Sequence, residues 1–320
     1  MSRIMLSRVA ESIYWMSRQA ERAENLARFI EVTLHMSLDP TESSVNPWEP
    51  LVQVTGDNEW FEAKYGQATC QNVVQFLAFD EEYHSSMLTC LRSSRQNAKS
   101  VREAMPTESF EKLNEFYHFV LDSRAPQLTD PTADFFEQIR YHALMWTGVL
   151  DSTMSHDIAW HFVNVGRLLE RADKTSRILD VKYFNLLPRV EDVGTAIDDL
   201  QWSTLLLAIS GFEAYRREHH LMDIEKIVAF FLFHRSFPRS IYSCIAGAEW
   251  SLRQIEKESG SDYTGHAQRS TNALRHRLKN TNVKEVIAGG MHQFIDRLQV
   301  ELNEIGDALG QDYFYANQPA

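Results

Sequence analysis

Two stretches of this chain carry the same charged pattern, Arg-x-x-Glu-Arg-Ala-acidic-x-x-x-Arg. Arg18, Glu21, Arg22, Ala23, Glu24 and Arg28 build the first, and Arg167, Glu170, Arg171, Ala172, Asp173 and Arg177 the second. The offset, 167 − 18 = 149, holds through every position of the motif. Guanidinium groups grip carboxylates or phosphates through paired, directional hydrogen bonds. A glutamate withdrawn from water beside them could act as acid or base. Three uses therefore stand open. The arginines could line an anion-binding cleft, Glu21 and Glu170 could exchange protons, or the groups could form a buried network that holds two parts of the molecule together.

The plainest alternative is a solvated face with ion pairs Arg18–Glu21, Glu24–Arg28 and Asp173–Arg177. Exposed pairs of that kind contribute about 0.3–0.5 kcal/mol each, too little to explain a pattern kept twice. A carboxylate-bridged dinuclear metal centre needs Glu-x-x-His on facing helices. Neither Glu21-x-x-Glu24 nor Glu170-x-x-Asp173 supplies the histidine, and interleaved arginines would repel a cation, so no metal is expected. No phosphate-binding glycine loop of the Walker or G-x-G-x-x-G type occurs, and no cofactor is expected.

Such a motif must be held by helices. Glu11, Tyr14, Trp15, Arg18, Glu21, Arg22, Asn25 and Arg28 fall on one side of a helix over residues 3–36, opposite a stripe that includes Ala20, Ala23 and Ala27. Tyr14 and Trp15 therefore join the candidate binding face. Asn164, Arg167, Glu170, Arg171, Lys174 and Arg177 form the matching polar face in the second copy. Arg239, in the Phe-Pro-Arg-Ser turn at 237–240, is a further anion-binding candidate, although capping by Ser236 or Ser240 explains the same turn.

Helical periodicity recurs over 85–105, 107–123, 200–219, 240–258 and 283–309, with a helix opened at Asp130-Pro131 over 131–149. No convincing strand is found, so the chain reads as all-α. Residues 73–91 align on 227–245 with Phe76/Phe230, Phe79/Phe233, Ser86/Ser240 and Cys90/Cys244 identical, at the offset 240 − 86 = 154. Residues 60–65 likewise resemble 211–216. Three blocks in one order predict two tandem helical repeats, 1–153 and 154–320, packed around a pseudo-two-fold axis as one continuous body.

The composition narrows the function classes. The chain has 320 residues, is 44% hydrophobic and 24% charged, and carries a net charge of −12. That balance is globular, and it disfavours nucleic acid and anionic membrane surfaces as partners. No apolar run is long enough for a membrane span, and the charged start is unlike a secretory signal. Three cysteines without metal-type spacing argue against a disulfide framework. The expectation is a cytoplasmic protein.

With these residues in view, the chain resembles the bacterial Alpha-E family. The resemblance rests on LSRVAESIYWMSRQAERAENLARFI near the start, FVNVGRLLERADKTSRILD at 162–180, FLAFDEEYHSSM at 76–87, W-x-x-L-L at 202–206 and FPRSI at 237–241. Ser17 stands where a glycine is expected, and His84 where proline is usual. The resemblance implies an all-helical protein whose neighbours are a circularly permuted ATP-grasp ligase and a transglutaminase-like protein, a setting that makes or modifies peptide or amide bonds. It assigns no catalytic residue. The expected role is an accessory or substrate-presenting protein that binds a partner or a carboxylate-bearing substrate through the duplicated motif. An enzyme using Glu21 and Glu170, and a structural scaffold, remain alternatives, and self-association stays open.

Overall fold

The computed structural model describes residues 5–37, 46–185, 196–260 and 264–315. The first half contains α1 (Ser7–Ser37), α2 (Glu49–Thr55), α3 (Asn58–Tyr65), α4 (Cys70–Val74), α5 (Met87–Ser100), α6 (Thr107–Asp122), α7 (Arg124–Thr129) and α8 (Ala133–Thr153). The second contains α9 (Ile158–Asn185), α10 (Ala196–Ala208), α11 (Phe212–Glu218), α12 (Ile224–Phe233), α13 (Ile241–Ser259), α14 (His266–Asn280), α15 (Val283–Gly289) and α16 (Met291–Leu309). Among the described residues there is no strand. The protein is all-α, and no described helix is long and apolar enough to cross a membrane.

The two motif helices, α1 and α9, are the longest and pack on each other at the centre. Small residues permit the close approach. A methyl group at Gly166 would collide with the Tyr14 carbonyl and the Ser17 hydroxyl. Ser17 turns its own hydroxyl back onto the Tyr14 carbonyl at 3.0 Å, so the pair Ser17/Gly166 keeps the interface tight without stranding a polar atom.

Around this centre α1 packs on α5 and α8, while α9 packs on α13 and α16. The outer contacts α5–α6 and α6–α8 are matched by α13–α14 and α14–α16. Ser86 and Ser240, aligned in the sequence, cap α5 and α13 by accepting from the Thr89 and Ser243 amides. Cys90 and Cys244 sit one turn into those helices, both buried, and burial pushes each thiol up to about 12. All three cysteines are free thiols.

Several boundaries differ from the periodicity. The helix expected over 200–219 is two helices, broken at Ser210, whose φ of 53° lies in the left-handed region, and Gly211. The one expected over 283–309 breaks at Gly290, φ 97°, a conformation natural only to glycine. The helix assigned from Asp130-Pro131 begins at Ala133 instead, and Asp130 closes α7. The segment 85–105 is α5 followed by a short 3-10 turn at Arg102–Ala104. The core absorbs most of the aromatic residues, but Trp250 is half exposed.

Candidate functional site

Where α1 meets α9, the two motifs exchange partners. Arg22 donates through Nε (2.6 Å) and Nη2 (3.0 Å) to the two oxygens of Glu170. Arg171 donates through Nε and Nη2, both at 2.7 Å, to the two oxygens of Glu21. Each is a bidentate fork between helices, which fixes orientation as well as distance. Two further pairs stay within their own helices, Glu24–Arg28 at 2.6 Å and Asp173–Arg177 at 3.0 Å. The spacing alone also suggested Arg18–Glu21. That pair does not form, because Arg18 reaches across to Glu170 at 2.8 Å.

Glu170 is fully buried, Glu21 and Glu24 are 4% and 3% exposed, and Asp173 is 6% exposed. Carboxylates so placed are tolerable only with matched cations. Burial alone would raise the Glu170 pKa, but Arg22, Lys174 and Arg18 outweigh it and hold the carboxyl well below the usual range. Burial would also raise Glu24, yet Arg239 and Arg28 bring it down to about 2. Asp173 is lowered in the same way, burial being overcome by Lys174 and Arg177.

Arg239 lies just ahead of the Ser240 cap of α13, and its side chain points back into the network rather than at that helix's N-terminus. It donates to Glu24 (2.6 Å) and Asn25 (3.1 Å) and stands 3.4 Å from Glu21. Burial, with Arg28 and Arg171 close by, lowers its pKa to about 10, partly offset by Glu24. It is therefore still charged at neutral pH. Arg239 closes the network around Glu21.

The Glu170 side is built differently. Carried across by the two alignment offsets, Asn25 corresponds to Lys174 (174 − 149 = 25) and Arg239 to Ser85 (239 − 154 = 85). Lys174 sits 3.6 Å from Glu170 and 3.0 Å from Asp173, so a cation on α9 does part of what Arg239 does opposite. Beside it lies a cleft of about 210 Å³ walled by Arg18, Arg22, Lys174, Arg177, Ser85 and Asp57. Leu26 and Phe29 supply its apolar part.

The remaining candidates divide between support and separation. Tyr14 is buried and accepts a 2.7 Å hydrogen bond from Arg18, whose guanidinium also lies 5.3 Å from the Trp15 ring centre. Both aromatics position Arg18. Arg167, the formal counterpart of Arg18, does not reach Glu21. It donates to Asn164 at 3.0 Å and pairs with Asp151 at 3.4 Å, away from the cleft. Sequence reasoning put Lys174 only on a polar face, and passed over Ser85, Asp57 and Tyr83 as site residues. Tyr83 and Ser85 fall in the aligned block 73–91/227–245, opposite Phe237 and Arg239, whereas no aligned block contains Asp57. Elsewhere, His292 hydrogen-bonds to Asp180 (2.9 Å) and lies 3.1 Å from Asp296, so both ring nitrogens face carboxylates and the group ties α9 to α16.

The fold and site thus define an all-helical protein with a duplicated Glu-Arg exchange at its centre and a cationic cleft on one side of it. The chain belongs to the Alpha-E family, described as a predicted alpha-helical domain with a conserved ER motif, which it matches over residues 5–314. Glu-Arg occurs here at 21–22 and again at 170–171, the four residues that make the exchange. An uncharacterised protein of Mycobacterium bovis and one of Mycobacterium tuberculosis are each 22% identical over 94% of this chain. The chain covers 36% of the length of each of these relatives. No solved structure matches it.

Proposed function

We propose that the cleft beside Glu170 binds the carboxylate of a small ligand, and that the protein presents this ligand within an ATP-grasp peptide or amide ligase system. One observation carries the reading. The same network is closed by Arg239 around Glu21 and left open around Glu170, where Arg22, Lys174 and Arg177 face a cavity. A network needed only to hold helices together has no use for that difference. Arginine and lysine around a partly desolvated cavity favour an anion with hydrogen-bonding oxygens. The ligase setting comes from the family resemblance, and the cleft is what this chain would contribute to it.

The halves read as copies of one unit, related by an approximate two-fold through the exchange of Arg22–Glu170 with Arg171–Glu21. Under that reading the Glu21 side is the scaffold and the Glu170 side has diverged into a site. Acid–base catalysis fits poorly: Glu170, gripped by Arg22 and Arg18 and held below the usual carboxylate range, is a weak proton acceptor, and both oxygens of Glu21 are taken by the Arg171 fork. The test is a thermal-shift titration with small carboxylates, paired with capture of a circularly permuted ATP-grasp ligase from the same organism. Lys174→Met should abolish the carboxylate-induced shift and weaken ligase capture in the presence of ligand. A wild-type chain that neither shifts with any carboxylate nor captures the ligase would overturn the proposal.

A further inference from the structure

We infer that the ligand carries an ammonium group beside its carboxylate, and that it is a compact amino acid. This rests on the reading of the cleft as a carboxylate site and adds a second recognition point to it. Asp57, in the turn between α2 and α3, is half-buried in the wall of the same cleft. One of its carboxylate oxygens accepts the Tyr83 hydroxyl at 2.7 Å, and Tyr83 is itself buried. Among the described residues no cation pairs with Asp57, although four line the cavity. Those cations are drawn instead to Glu170 and Asp173. Asp57 thus offers a carboxylate oxygen to the cleft, oriented by Tyr83 and matched to an ammonium donor.

Size narrows the ligand further. A cavity of about 210 Å³ is smaller than the ~300–1,000 Å³ pockets of larger ligands. It fits aspartate or glutamate in scale, with Leu26 and Phe29 against the methylene groups.

The experiment is isothermal titration calorimetry on the full chain with L-aspartate, L-glutamate, N-acetyl-L-glutamate and glutarate. An acidic amino acid should bind, and removing the ammonium by N-acetylation, or in glutarate, should weaken binding at least about tenfold. Asp57→Asn should weaken the amino acid by a similar factor while glutarate binds at least as tightly as to wild type, and Tyr83→Phe should give a smaller loss for the amino acid. If glutarate and N-acetyl-L-glutamate bind as tightly as L-glutamate, or Asp57→Asn binds L-glutamate as wild type does, the ammonium site is refuted and the carboxylate cleft stands alone. If none of the four ligands binds, both readings fall.

Discussion

Glu170→Gln removes one negative charge and almost no volume, so it isolates the electrostatic work of the exchange. Glu170 is fully buried and receives Arg18 at 2.8 Å and Arg22 at 2.6 and 3.0 Å, with Lys174 at 3.6 Å. Arg18 and Arg22 side chains are only 14% and 16% exposed. The substitution therefore leaves two poorly hydrated guanidinium groups without their shared counter-ion. Orphaning a buried charge costs about 3–5 kcal/mol. At roughly 2 °C per kcal/mol for a chain of this size, the melting temperature should fall by ~6–10 °C.

Glu21→Gln is the internal control. Arg171 loses its fork there, but Arg239 keeps Glu24 at 2.6 Å and Asn25 at 3.1 Å, so only one cation is stranded. Its cost should be the smaller of the two. Urea denaturation of both variants, with Arg22→Gln and the Arg22→Gln/Glu170→Gln double mutant to extract a coupling of ~0.5–3 kcal/mol, is the assay. A Glu170→Gln chain within about 0.5 kcal/mol of wild type, or less perturbed than Glu21→Gln, would refute the reasoning.

Three other expectations follow from the same geometry. Glu24 has a pKa of about 2 when folded against roughly 4.3 when unfolded. Its contribution, up to about 3 kcal/mol, is present above the unfolded value and lost as pH falls from near 4.5 toward 2. Glu170 and Asp173 shift the same way, so circular dichroism should show acid unfolding inside that window, and unchanged stability down to pH 2 would contradict the ion-pair geometry. Gly166→Ala should push α1 and α9 apart at the Tyr14 carbonyl and cost ~1–3 kcal/mol in chemical denaturation, with no loss expected if the helices were not in contact there. Arg239→Met should destabilise the chain by ~3–5 kcal/mol, because among the described residues Glu24 then keeps Arg28 as its one directly paired cation, while carboxylate binding at the opposite cleft stays intact.

How much of this was legible in the sequence depends on the reach of each interaction. Helix type was legible, because the 3.6-residue periodicity of α1 and α9 is a local property. The breaks at Ser210 and Gly290 were not, since a single residue at positive φ leaves the surrounding apolar spacing almost unchanged. The motif showed that carboxylates and arginines would meet, but not which ones. Arg18 has Glu21 one turn along its helix and Glu170 across the interface, and it takes Glu170 while Arg171 takes Glu21, a choice that spacing along one helix does not contain. Arg239 stood out in its turn, yet its partners Glu21 and Glu24 lie more than two hundred residues away. The cleft itself was hidden because attention falls on the identities between the two copies. It is lined by Lys174 and Ser85, which align in the sequence with Asn25 and Arg239.

The central claim is that the cleft exists as a binding site because Ser85 stands where the other half has Arg239. Calorimetric titration of a Ser85→Arg chain with the best small carboxylate tests it directly. The new guanidinium would lie against Asp173 and Glu170 as Arg239 lies against Glu24 and Glu21. The account predicts a chain at least as stable as wild type whose affinity for the carboxylate has fallen by at least about tenfold. A folded Ser85→Arg chain that binds the carboxylate as tightly as wild type would contradict it.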